Sequence, residues 1–141
     1  MTALRTAARE RGAHSPFFLY HGHADHRQFL RRLLSTDILL LPYNWKRYAI
    51  RPSNVFSEAA GYGIVAVVPD RTWAADKLVE GNGAGTVFRD FSVDSMIEAL
   101  VTASEQYREL KEVAVANKLA WRQAHSTRAL LDNILAQIAA H

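Results

Sequence analysis

The fold of this chain is decided by residues 53–69, which read SNVFSEAAGYGIVAVVP. The first half begins with Ser53, a favourable helix N-cap, and continues as a short helix. Gly61 and Gly63 are expected to close that helix, because glycine readily takes the left-handed conformation that follows a last helical turn. The second half, Ile64–Pro69, is continuously apolar, which is typical of a strand covered on both faces. The stretch therefore predicts a helix followed by a buried strand of a parallel sheet.

Similar patterns occur on either side of this stretch. Segments rich in aromatic or β-branched residues predict three more strands: Phe17–His21, Ile38–Pro42 and Thr86–Arg89. Between the first two, a helix is predicted over Asp25–Ser35, with an apolar stripe of Phe29, Leu30, Leu33 and Leu34. Alternating strands and helices indicate βαβ units, since parallel strands need crossover connections. We therefore expect an α/β fold, a Rossmann-like three-layer parallel sheet flanked by helices.

The C-terminal part has a helical pattern throughout. Ser92 is expected to cap a helix that carries Met96 and, further on, Tyr107 and Leu110. A second long helix is expected over Trp121–Ala140. These long C-terminal helices follow the last predicted strand and complete the predicted architecture.

Length and composition are those of one globular domain. Apolar residues make up 49% and charged residues 22% of the 141 residues, which disfavours a disordered chain. We expect a single domain over residues 1–141, with its core at about 15–102 and a helical segment at about 103–141. The sequence has no cysteine, which excludes thiolate metal sites and favours a reducing compartment, the cytoplasm. No apolar run approaches the ~18 residues of a membrane span, so no transmembrane segment is expected.

The order of the predicted elements suggests a missing strand. A helical pattern precedes the first predicted strand, so we expect a doubly wound sheet here to lack a strand that lies before residue 1. Such a fragment exposes a sheet edge, and exposed edges tend to pair with other chains. Self-association is therefore expected.

An anion site is predicted where the second strand gives way to the next helix. The loop over residues 43–53, YNWKRYAIRPS, is dense in cations, aromatic rings and hydrogen-bond donors. Ligands of open parallel sheets bind beyond the carboxyl ends of the strands, and a first helical turn offers free N–H groups to phosphate. Ser53, Asn54 and Val55 are therefore expected to form an anion cradle, with Arg51 adding charge. No residue stands out as a catalytic group.

Glu58 is the candidate for a sugar contact. It lies about 1.4 helical turns beyond Ser53, so its side chain can lean back toward a ligand at the helix start. A carboxylate suits the paired hydroxyls of a ribose. The alternative interpretation is structural: solvated loop cations, a serine that only caps a helix, and an exposed glutamate.

Three other sequence patterns are not expected to form a functional site. His21, His23 and His26 have a spacing that suits imidazole metal ligands. No thiolate or required carboxylate joins them, so a solvated loop or part of a base pocket fits the pattern better. No metal is therefore expected. The glycines within Glu80–Gly85 lack a preceding strand and a directly following helix, which indicates a turn and not a dinucleotide fingerprint. The basic residues are spread along the chain, so no nucleic-acid partner is expected.

The order of these weak motifs resembles a known family. The motifs are His21-Gly22, the helix up to Asp37, Leu41-Pro42-Tyr43, Ser53, the run Glu58 to Gly63, the strand to Pro69, and the glycine turn Gly81 to Gly85 with the helix from Asp94 to Leu100. In this order and spacing, over roughly residues 15–102, they resemble the donor-binding C-terminal domain of GT-B retaining glycosyltransferases of the group 1, family 4-like type.

The resemblance implies one lobe of a GT-B fold that binds a nucleotide diphosphate sugar as donor, without a metal or other cofactor. It implies that Glu58 holds the ribose and that Ser53, Asn54 and Val55 meet the diphosphate. Transfer of the sugar to an acceptor, with retention of configuration, then requires an acceptor-binding lobe or a partner chain.

Two departures from the family pattern favour a second hypothesis. The family often has a glutamate eight positions before the one matching Glu58, and this chain has Ile50 there. The family's phosphate-binding arginine and lysine belong to the first strand and helix of the lobe, and the chain begins after them. The alternative is a non-catalytic module that binds a nucleotide or a partner protein on the same fold.

Overall fold

The computed structural model describes residues 24–139. Within this part, three parallel strands form one sheet in sequence order: β1 (Ile38–Leu40), β2 (Val65–Pro69) and β3 (Gly85–Phe88). The register pairs Ile38 with Val65 and Ala66 with Gly85. Each strand lies within a residue or two of its predicted position. The predicted strand Phe17–His21 lies outside the described residues.

Seven helices accompany the sheet in residues 24–139: α1 (His26–Leu34), α2 (Trp45–Tyr48), α3 (Asn54–Tyr62), α4 (Trp73–Val79), α5 (Val93–Glu105), α6 (Tyr107–Ala124) and α7 (Thr127–Ala139). The parallel sheet, the flanking helices and the long C-terminal helices confirm the α/β prediction. The chain from Arg32 onward forms one compact unit. A single domain over residues 1–141 stays a prediction.

The side chains of β2 alternate between two apolar clusters, one on each face of the sheet. Val65 and Val67 pack in one cluster with residues of α5. Val68 packs in the other with Phe56 of α3 and Trp121 of α6. The valines are fully buried, and burial of each such side chain contributes about 1.5 to 3 kcal/mol. Burial on both faces is why the run reads as continuously apolar in the sequence.

Helix α3 has the predicted caps at both ends but is longer than predicted. Ser53 is its N-cap, and Gly63 is its C-cap with a left-handed φ of 69°. The prediction that Gly61 also closes the helix is wrong, because Gly61 lies inside it. A Cβ at Gly61 would lie 3.6 Å from the side chains of Trp121 and Arg122, so this residue faces α6. Gly61 therefore lies in the contact between α3 and α6 and does not end the helix.

The boundaries of the C-terminal helices also differ from the prediction. Tyr107 and Leu110 do not continue the helix capped by Ser92, because the chain turns at Gln106 and starts α6. Both side chains pack against the α5-side cluster. Trp121 is not at the start of the last helix. It lies near the end of α6, where its indole N–H donates to the Ser57 carbonyl of α3 at 3.0 Å, and α7 begins only after a second turn.

Two helices lie where the sequence patterns did not predict one. Helix α2 interrupts the loop over residues 43–53, with Asn44 as its N-cap. Helix α4 follows β2, and the buried Thr72 hydroxyl accepts the Ala75 N–H at 3.3 Å while donating to the Pro69 carbonyl. One threonine therefore joins the end of β2 to the start of α4.

The last helix, α7, has no buried residue. Its apolar side chains remain about half exposed or more, and they are Leu130, Leu131, Ile134, Leu135 and Ile138. No helix of the described part combines the length and the apolar character needed to cross a bilayer.

Candidate functional site

The carboxyl ends of the strands carry the N-termini of three helices. The strands are parallel, so the connections from β1 to α3, from β2 to α4 and from β3 to α5 all begin at this edge. Ligands of open parallel sheets bind at this edge, because loops and free helix N–H groups meet there. The first two connections carry the exposed cations Lys46, Arg47, Arg51 and Arg71.

The Ser53 hydroxyl has a structural role in this arrangement. Its oxygen accepts the Phe56 N–H at 3.1 Å and lies 3.0 Å from the Tyr43 phenol oxygen, and the residue is only 4% exposed. Of the predicted anion cradle, the N–H groups of Asn54 and Val55 are therefore the ones that the helix geometry leaves open. The Ser53 side chain itself is turned into the protein.

Tyr43 holds the loop over residues 43–53 by an aromatic contact and a hydrogen bond. Its ring stacks on Tyr48 of α2, with 4.1 Å between ring centroids and an interplanar angle of 11°. Burial raises the pKa of the Tyr43 phenol, opposed by the hydrogen bond with Ser53 and assisted by the proximity of Tyr48. The phenol is therefore neutral at physiological pH and suits a structural hydrogen bond.

The remaining predicted residues separate into two groups. Val55 is half-buried and packs against the apolar cluster of α3 and α6, so only its backbone is offered to a ligand. Arg51 is exposed in the loop before α3. Asn54 and Glu58 line one shallow pocket of about 280 Å³ between α3 and α6.

The rest of this pocket is built by residues that the sequence did not identify: Tyr62 at the end of α3, Trp121 and Arg122 on α6, and His125 just beyond α6. In the sequence, Trp121, Arg122 and His125 show only a helical spacing. That spacing does not reveal which other helix these residues face. The Arg122 guanidinium carbon lies 5.0 Å from the Tyr62 ring centroid. The His125 ring stacks on the Trp121 indole at 3.8 Å.

The polar groups of this pocket are largely uncommitted. Within residues 24–139, the side chains of Asn54, Glu58 and Arg122 have no hydrogen bond or ion pair. His125 Nδ1 lies 3.0 Å from the Trp121 carbonyl oxygen, which can only accept, so the proton of the neutral ring is on Nδ1. A carboxylate, a carboxamide, a guanidinium and a ring nitrogen thus line one pocket, and the guanidinium contacts the Tyr62 ring.

Arg71 is a further edge residue that the sequence did not reveal. It has a left-handed φ of 53°, which is uncommon for a residue other than glycine. Its guanidinium lies 5.5 Å from the Trp45 ring centroid and 3.7 Å from the Asp70 carboxylate. The contact joins the loop after β2 to helix α2, so the two loops at the carboxyl edge form one basic surface.

A larger depression beside β3 is a poorer anion site. It has a volume of about 570 Å³ and lies between β3 and α5. Its walls carry the carboxylates of Asp90, Asp94 and Glu98, with Arg89 as the cation. Hydrogen bonds from Ser92 lower the pKa of Asp90, which keeps this carboxyl group charged. The negative charge of this depression disfavours a diphosphate. The pocket between α3 and α6 instead has one carboxylate, that of Glu58, and one guanidinium, that of Arg122.

The histidine cluster of the sequence falls mostly outside the described residues. His26 is exposed in α1, and His21 and His23 are not described. Among residues 24–139, no group of three histidine, aspartate or glutamate side chains is arranged to hold a metal ion.

Comparisons with known proteins add no relative to this picture. No protein-family model, no curated protein and no solved structure matches the chain.

Proposed function

We propose that this chain is the donor-binding lobe of a GT-B-type glycosyltransferase with a Rossmann-like sheet. Its donor is a nucleotide diphosphate sugar, bound without a metal cofactor. The observation that carries the proposal is the placement of Asn54 and Glu58, which lie one helical turn apart and line the same pocket between α3 and α6.

The chemistry of this pocket supports a nucleoside diphosphate. The open N–H groups at the start of α3 and the positive end of its dipole favour phosphate oxygens. The Glu58 carboxylate can accept hydrogen bonds from both ribose hydroxyls, and hydrogen bonds to a charged group are the stronger ones. The exposed cations of the two edge loops, such as Arg51 and Arg71, raise the local concentration of anionic ligands.

Sugar transfer by this lobe requires a second surface. The pocket between α3 and α6 is open on one side. We propose that an acceptor-binding lobe or a partner chain completes the enzyme, in the cytoplasm, and that the chain alone does not turn over its donor.

A non-catalytic binding module is the second candidate, and Ile50 favours it. At this position the resembling family often has a second glutamate, whereas Ile50 is an apolar side chain that is 90% exposed. An isoleucine cannot hydrogen-bond a sugar, so the nucleotide part of the donor would be bound and the sugar part would not.

Calorimetry tests the proposal directly. UDP, GDP and ADP are titrated into the chain, each with and without a chelator. The proposal expects binding of at least one diphosphate that the chelator does not change. Absence of heat with all three at millimolar concentration would contradict the proposed donor site. Equal affinity for a nucleoside diphosphate and its sugar conjugate would favour the non-catalytic module.

A further inference from the structure

The pocket between α3 and α6 has a regular order along helix α3. Asn54, Glu58 and Tyr62 are spaced four residues apart, so all three line the same groove. The rise of 1.5 Å per residue places consecutive members about 6 Å apart along the helix. Asn54 is at the start of the helix, Glu58 provides a carboxylate, and Tyr62 provides an aromatic ring at the end of the helix.

This order matches the order of groups in a nucleoside diphosphate. If the phosphates lie at the helix start and the ribose lies on Glu58, the base extends toward the other end of the groove. That end is occupied by the Tyr62 ring and the Arg122 guanidinium. This step rests on the proposed function, because it takes the position of the ribose from it.

Two contacts with α3 place the Arg122 side chain along the groove. Its aliphatic stem passes over Gly61, where its Cγ lies 3.6 Å from the position that a Cβ would occupy. Its guanidinium then lies over the Tyr62 ring, 5.0 Å from the ring centroid. An arginine plane and an aromatic ring are the two kinds of surface on which proteins stack bases.

The donor and acceptor pattern of this surface selects among bases. An arginine has five N–H donors and no acceptor, and in residues 24–139 those of Arg122 make no hydrogen bond or ion pair. Uracil and guanine present carbonyl oxygens to such donors, whereas adenine presents an amino group at the corresponding position. We propose that Tyr62 and Arg122 hold the base of the bound nucleotide and that this base is uracil or guanine, not adenine.

The test compares the affinities of UDP, GDP and ADP by calorimetry for the wild-type chain and for Arg122→Ala. The wild-type chain is expected to bind UDP or GDP about tenfold more tightly than ADP, and the variant is expected to lose that difference. A tenfold ratio corresponds to ~1.4 kcal/mol, within the range for one good contact between a side chain and a base. Arg108→Ala removes an exposed arginine from the same helix and is expected to change none of the affinities.

The outcomes separate this inference from the proposed function. Tightest binding of ADP, or an unchanged ratio in Arg122→Ala, overturns the assignment of the base while the donor site stands. Binding of none of the three nucleotides to the wild-type chain overturns both. Tyr62→Phe provides a second check. It keeps the ring under Arg122 and is therefore expected to keep the preference for uracil or guanine over adenine.

Discussion

The hydroxyl oxygen of the buried Ser53 lies 3.0 Å from the phenol oxygen of Tyr43, which is half-buried. This contact ties the loop after β1 to the first turn of α3. Because the same serine oxygen caps the helix at Phe56, one atom holds the helix start and the loop together. The contact therefore orients the backbone N–H groups that the proposed site offers to phosphate.

Ser53→Ala is expected to lower the free energy of unfolding by about 1 to 2 kcal/mol, because it removes an N-cap and leaves Tyr43 without its partner. Denaturation in urea measures the change. Ser57→Ala is the control, since its hydroxyl has no hydrogen bond in residues 24–139, and a shift below about 0.5 kcal/mol is expected. A Ser53→Ala variant that keeps normal stability but loses nucleotide affinity would instead indicate that this hydroxyl contacts the ligand.

Stability is expected to fall at high pH because of Tyr43. Burial raises its pKa in the folded protein above the ordinary value of 10.0. A group with a raised folded-state pKa contributes stability that is complete below its unfolded pKa and is lost as pH rises through its folded pKa. We therefore expect Tm to fall from about pH 10 upward, and to fall less steeply in Tyr43→Phe, which has no proton to lose there. Parallel Tm curves for the two proteins would show that this phenol does not contribute.

Gly85→Ala is expected to destabilise the sheet strongly. A Cβ at Gly85 would lie only 1.7 Å from the Ala66 carbonyl oxygen on β2, which is a backbone atom that cannot move aside. A loss of about 3 kcal/mol or more in unfolding free energy is expected from the clash. Gly81→Ala is the matched control: its φ of 76° is strained for alanine, but no atom lies within 4 Å, so a loss of about 1 kcal/mol is expected. Equal losses in the two variants would contradict the pairing of Ala66 with Gly85.

Self-association is expected, and α7 provides an apolar surface for it. Leu131 is 54% and Ile138 is 68% exposed on this helix. Exposed patches of this kind mark association surfaces or aggregation hazards. Sedimentation velocity should show concentration-dependent association that Leu131→Glu combined with Ile138→Glu reduces. Val87→Lys, on the outer strand β3, tests the alternative that strand pairing is responsible. A monomer at all concentrations would contradict the expectation of an exposed association surface.

The sequence predicted the elements whose signals are local. Ser53 and Gly63 marked both ends of α3, and the apolar run to Pro69 marked β2, because capping and burial on both faces leave direct traces in composition. The breaks at Gln106 and His125 left no such trace, since neither contains glycine or proline. Those breaks depend on tertiary packing, such as the bond from Trp121 to the Ser57 carbonyl.

The candidate site was predicted only in part for the same reason. Asn54 and Glu58 lie on the helix that contains the motif, and their one-turn spacing is visible in the sequence. Arg122 and His125 lie more than sixty residues later and reach the pocket because α6 packs along α3. The inward direction of Ser53 also depends on Tyr43, which belongs to a different loop. Long-range contacts of this kind cannot be read from periodicity.

The most direct test of the donor site is the nucleotide affinity of Glu58→Gln. Glutamine keeps the shape of the side chain but removes the charge that strengthens each hydrogen bond to a ribose hydroxyl, and such bonds contribute about 1.5 to 3 kcal/mol. The affinity for the best-binding nucleoside diphosphate is expected to fall about tenfold or more, since ~1.4 kcal/mol is a factor of ten.

Asp76→Asn removes an exposed carboxylate outside the pocket and is the control for a general loss of negative charge. Titration calorimetry and thermal unfolding without ligand are measured together for all three proteins. Glu58→Gln is expected to lose affinity while its stability stays within about 0.5 kcal/mol of the wild-type value. Asp76→Asn is expected to keep its affinity. A clear loss of stability with unchanged nucleotide affinity would show that Glu58 serves the fold and would contradict the donor site.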